Sequence, residues 1–105
     1  MNTHDMQVAK ELKQKLSAVV SLVDMRVFGS RARGDADEYS DLDVFVEVET
    51  LDKIIEEKIE DIVWEVGYNN HVFISETIFT KDEIENSPMC ESGIVKSIYR
   101  EGITV

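Results

Sequence analysis

Cysteine occurs once in the chain, at Cys90. That excludes an intramolecular disulfide and any cysteine-rich zinc site. No apolar run approaches the roughly 20 residues that a membrane-spanning helix needs. The N-terminal segment has no apolar signal core, because Lys10, Glu11, Lys13 and Lys15 interrupt it. Basic residues are scarce: 11 Lys and Arg stand against 22 Asp and Glu, a net charge of −11. Duplex nucleic acid is a poor ligand for such a chain, since its binding rests on Lys and Arg neutralising phosphate. The surplus acid reads first as a solvated surface, with a basic protein partner as the alternative. No internal repeat, low-complexity tract or linker divides the 105 residues. One small domain, residues 1–105, is expected, in the cytoplasm and away from membranes.

What is present concentrates in residues 25–48. Residues 25–28 are apolar and β-prone and stop at Gly29. Residues 30–33 can open a short helix, which Gly34 ends. Residues 35–40 read as a polar loop in which Asp35, Asp37 and Glu38 serve solvation. Residues 41–48 alternate as a strand does. Leu42, Val44, Val46 and Val48 then share one face, and Asp41, Asp43, Phe45 and Glu47 the other. Asp41 and Asp43 fall roughly 7 Å apart, at two strand rises of about 3.3 Å. Two ionised carboxylates side by side repel each other unless a cation offsets them. Oxygen ligands of this kind suit Mg²⁺ or Mn²⁺. Gly29 lets backbone approach a ligand closely, and Ser30 opens a helical turn whose free N–H groups favour phosphate. Arg31 and Arg33 add charge. Lying two apart they diverge on a helix, so one can touch phosphate while the other pairs with a surface acid.

This Gly-Ser, loop, Asp-x-Asp arrangement resembles the nucleotidyltransferase superfamily related to DNA polymerase β, and within it the minimal nucleotidyltransferase (MNT) branch. The resemblance covers roughly residues 23–80 and extends to the ending Arg100-Glu101-Gly102-Ile103. It implies an α/β (α+β) core, a small mixed sheet with helices mainly on one face and the site on the uncovered face. It implies Gly29, Ser30, Arg31 and Arg33 holding the phosphates of a nucleoside triphosphate such as ATP, and Asp41 and Asp43 as catalytic, Mg²⁺-ligating residues. The implied reaction transfers a nucleoside monophosphate to an acceptor hydroxyl or phosphate and releases pyrophosphate. The branch also contains antitoxins whose partner is an all-helical HEPN-domain toxin, so the alternative is a binding partner with weak or no transferase activity. A third reading is a degenerate, structural member. The resemblance further implies a third carboxylate on the next strand. Here Phe73 aligns with that place, while Glu76, the nearest acid, falls at the strand's far end and on the opposite face. Glu47 and His71 are the other titratable groups nearby.

Elsewhere the periodicity predicts a helix over 5–23, carried by Val8, Leu12, Leu16, Val19, Val20 and Val23. A second helix over 51–66 is capped by Thr50 and ended by Gly67, with Leu51, Ile54, Ile55, Ile59, Ile62, Val63 and Val66 as its stripe. Trp64 reads as core or boundary packing, with base stacking as the alternative. A strand is expected over 71–79 and a short acidic turn over 81–86. A last helix over 88–100, capped by Ser87, would turn Ile94, Val95, Ile98 and Tyr99 inward. Residues 103–105 are expected to add a short strand, and an exposed sheet edge makes a homodimer or heteromer reasonable. His4 and Cys90 read as packing or surface residues.

Overall fold

The computed structural model describes every residue of the chain except Glu38 and the side chains of Met89 and Cys90. The readings made above for Glu38 and for the Cys90 side chain lie outside the described residues. Helix α1, Thr3–Ser17, is capped by Asn2, whose Oδ1 accepts from the Asp5 amide at 2.7 Å. It ends before the expected residue 23. Val19, Val20 and Val23 mimic a helical stripe, but β-branched residues fit extended chain better. Strand β1 accordingly starts at Leu22 and runs to Phe28. A bulge between Leu22 and Asp24 shifts its register at Val23.

Helix α2, Gly29–Arg33, follows at once and closes at Gly34. Strand β2, Leu42–Val48, returns antiparallel to β1. Helix α3 spans Lys53–Asn70, with Asp52 rather than Thr50 as its cap. It also runs past Gly67. That glycine packs instead: a Cβ there would lie 2.7 Å from the Val72 carbonyl oxygen. The cap falls to His71, left-handed at φ 56°. The next strand, β3, therefore begins at Ile74 and ends at Thr80, parallel to β2. Thr80 and Glu83 form a capping box for α4, Lys81–Asn86. The Ser87 hydroxyl donates to the Glu83 carbonyl. Pro88–Glu91 is a 3-10 turn, so α5 starts later than expected, at Gly93–Glu101 with Ser92 as its cap. Strand β4, Ile103–Thr104, pairs with β1.

The sheet order is β3-β2-β1-β4, a mixed sheet. On one face Leu42, Val44, Val46 and Val48 pack with Leu12 and Leu16 of α1 and Ile59, Val63 and Val66 of α3. The opposite face carries a smaller cluster of Phe45, Phe79, Val95 and Ile98, so α5 shields only part of it. Six residues expected on apolar stripes or turned inward are exposed: Val19, Val23, Ile54, Trp64, Ile94 and Tyr99. Among the described residues, no helix is long and apolar enough to cross a membrane.

The covered part of the second face buries one acid. Glu47 accepts a hydrogen bond from the Tyr99 hydroxyl at 3.0 Å. Burial pushes its carboxyl up, partly offset by that bond, and pushes the Tyr99 phenol up to about 12. A carboxyl raised on folding lowers stability as pH climbs from its unfolded value through its folded one, and the loss persists above both. Glu47→Gln is therefore expected to melt higher than wild type at pH 7. Melting curves across pH should show that gain closing below about pH 4, where both states of wild type are protonated.

Candidate active site

The site forms where β1 ends and β2 begins. Cross-strand register sets Phe28 opposite Asp43. Asp43 lies on the face of β2 away from α1 and α3, as the alternation predicts, and the next residue after Phe28 passes beneath its carboxylate. That residue must be small and turned: Gly29 has φ 75°, and a Cβ on it would stand 2.3 Å from Asp43 Oδ2. Close approach and left-handed backbone each call for glycine. Ser30 follows in the first turn of α2, where no side chain caps the helix. Phe28 occupies the N-cap place.

Asp41 is exposed just before β2. Burial raises the Asp43 carboxyl above its ordinary range, the Asp41 charge raises it further, and Arg33 opposes both. Arg33 also pairs with Asp35 at 3.2 Å and approaches Glu101 at 4.0 Å. Gly29, Ser30, Arg33, Asp41 and Asp43 thus gather at one end of the sheet. Arg31 is held elsewhere. Its Nη1 donates to Asp5 Oδ1 at 2.7 Å and its Nε to the Ser40 carbonyl at 2.8 Å, with the pair only 11% and 3% exposed. Arg31 pins α2 and the end of the 35–40 loop to α1. Asp5 had no signal in the sequence, where it reads as one acid in the first turn of a helix.

The β2–β3 register sets which residues flank Asp43 on the next strand. Ser75, not Phe73, lies opposite Asp43, and Thr77 lies opposite Phe45. Phe73 precedes β3, and its carbonyl accepts from the Leu42 amide at 2.8 Å. Glu76 pairs with Val44 and so shares the face that α3 covers. Among the described residues no group of three or more His, Cys, Asp and Glu gathers to hold a metal. Two carboxylates that repel each other, one of them half-buried, fit a Mg²⁺ that arrives with a triphosphate. Such ions are commonly bound by one or two carboxylates plus substrate phosphates.

The model of the nucleotidyltransferase domain family matches residues 5–104. The chain belongs to this family. A candidate protein adenylyltransferase of Methanocaldococcus jannaschii is 34% identical over 90 residues, which span 76% of this chain and 91% of that relative. A solved structure of a candidate minimal nucleotidyltransferase shares the fold with a TM-score of 0.62 at 24% identity, covering 99% of this chain and 100% of that one. A toxin–antitoxin solved with AMP-PNP does so with a TM-score of 0.63 at 17% identity, over 95% of this chain and 70% of that one. The four-stranded mixed sheet and five α-helices of this nucleotidyltransferase follow the same plan.

Proposed function

We propose that this nucleotidyltransferase binds ATP with Mg²⁺ or Mn²⁺ and transfers AMP to an acceptor hydroxyl or phosphate in the cytoplasm. The observation that carries the reading is the apposition of Gly29 and the Asp43 carboxylate, so close that no side chain fits between them and the opening turn of α2 lies directly against the acid. Ser30 and the first amides of α2 hold the β- and γ-phosphates, with Arg33 beside them. Asp41 and Asp43 would hold the cation. When bound, it neutralises phosphate charge and aligns the attacking and leaving oxygens. The acceptor oxygen bonds to the α-phosphorus, the bond from that phosphorus to the bridging oxygen breaks, the acceptor proton is released, and pyrophosphate leaves. Arg31 acts by holding the loop that presents Asp41.

The test is calorimetric titration of ATP with and without Mg²⁺, on wild type and on Asp41→Ala, Asp43→Ala. The metal-dependent part of binding should vanish in the variant; full Mg²⁺-dependent binding there would show that the site lies elsewhere.

A second reading draws on the acidic surface and on the fold shared with a toxin–antitoxin. In it the chain neutralises a HEPN-domain toxin, either by binding or by transferring AMP to it. Coexpression separates the two. Neutralisation by the double aspartate variant means that binding suffices, and its loss with the complex intact means that transfer is required.

A further inference from the structure

Around the β3 edge from the carboxylates lies an apolar groove. Trp64 and Tyr68 stand one turn apart on α3 with ring centroids 6.1 Å apart. Phe73 faces them from the chain leading into β3. These three are 65%, 70% and 73% exposed. With Val63 and Val72 they line an open cavity of about 520 Å³. A cluster of large apolar side chains rimmed by charge marks an interaction surface better than it marks chance exposure. The rim here has one sign. Glu60 and Glu76 border the cavity, and Glu56 and Glu57 precede Glu60 on α3. Among the described residues, none of these four acids pairs with a Lys or Arg.

We propose that this groove docks a partner protein through a segment whose apolar anchor is flanked by basic side chains. Trp64, Tyr68 and Phe73 receive the anchor and offer ring faces to cations. Glu60 and Glu76 supply the opposite charge. A second copy of this chain is a poor occupant, because it brings the same acids and a net charge of −11. One lip of the groove is also tied to the start of β2. The Phe73 carbonyl is bonded to the amide of Leu42, which sits between Asp41 and Asp43. A segment seated on Phe73 therefore lies one strand away from the strand that carries Asp43. Where the transferase reading holds, the docked protein is the acceptor; that clause rests on that reading, and the docking itself does not.

The chain has one tryptophan, Trp64, so its emission reports from the groove alone. The probe is a synthetic amphipathic helical peptide with leucines on one face and arginines on the other. Its control replaces the arginines with glutamates. Saturable binding of the arginine peptide should shift Trp64 emission to the blue, and the glutamate peptide should leave it unchanged. By fluorescence polarisation of the labelled peptide, Tyr68→Ala, Phe73→Ala should weaken binding about tenfold or more, as loss of aromatic anchors does. Glu60→Lys, Glu76→Lys should weaken it similarly. These side chains are exposed or at the rim, and circular dichroism checks that each variant keeps the wild-type spectrum. ATP titration of Tyr68→Ala, Phe73→Ala should match wild type, which separates failure of docking from failure of the nucleotide site. The proposal is overturned by no peptide binding, by equal binding of the two peptides, or by binding indifferent to the groove substitutions. It is equally overturned by a blue shift on raising protein concentration alone, which assigns the groove to a second copy. Saturable quenching by ATP would assign it to the nucleotide.

Discussion

Gly29→Ala is expected to lower nucleotide transfer about 100-fold or more while leaving the protein folded. Two physical effects act at the same atom. Alanine is strained at φ 75°, and its methyl carbon would fall 2.3 Å from Asp43 Oδ2. No rotation of the methyl relieves that contact, so either the Asp43 carboxylate or the start of α2 must move by an ångström or so. Displacements of that size in a positioned group are associated with losses near 10² in rate. Neither group belongs to the core on which the sheet rests, so the melting temperature should fall only by the strain of one residue. Release of pyrophosphate from ATP, measured beside a thermal melt, reads both quantities. Transfer within twofold of wild type would mean that the carboxylate above Gly29 is not where the chemistry happens.

Asp5→Ala should be the most destabilising single change outside the apolar core. It leaves the Arg31 guanidinium, 11% exposed, with the Ser40 carbonyl as its recorded partner. Breaking a buried pair by removing one member typically costs about 3–5 kcal/mol. For a domain of this size that corresponds to a melting-temperature drop on the order of 15 °C. Replacing both members with apolar residues, as in Asp5→Leu, Arg31→Met, should recover most of the loss, because no lone charge is then buried. The same change loosens the loop ahead of Asp41, so ATP binding should weaken even below the melting transition. Chemical denaturation of the two variants decides the matter. A loss under about 1 kcal/mol for Asp5→Ala would place the pair among ordinary surface bridges.

These two residues also show where sequence reasoning reaches and where it stops. The alternation from Asp41 to Val48, the stop at Gly29 and the turn at Gly34 are local patterns, and the site's backbone could be read from them. The pairing of Arg31 is not local. Its partner lies 26 positions away, on a helix whose first-turn acid looks like routine capping chemistry. Arg31 and Arg33 therefore looked equivalent, although one is buried in a strap and the other stands near Asp43. Gly67 misled for a different reason. A glycine near the end of an apolar stripe suggests a cap, but this one makes space for the Val72 carbonyl, and His71 takes the left-handed position instead. Trp64 reads as core or boundary packing from its nearness to the stripe, whereas the helix turns it out to the groove, 65% exposed. The third-carboxylate position required the β2–β3 register, which no single strand contains.

The antiparallel pairing of β1 with β2 has a consequence for how the molecule is made. Gly29, Ser30, Arg33, Asp41 and Asp43 belong to one hairpin, so their assembly requires the closure of a single short loop, whose entropy grows only logarithmically with length. The parallel partner β3 must wait for the long crossover through α3. The residues of the candidate site can thus meet without the chain beyond Val48, whereas the groove at the β3 edge needs α3 and the approach to β3 together.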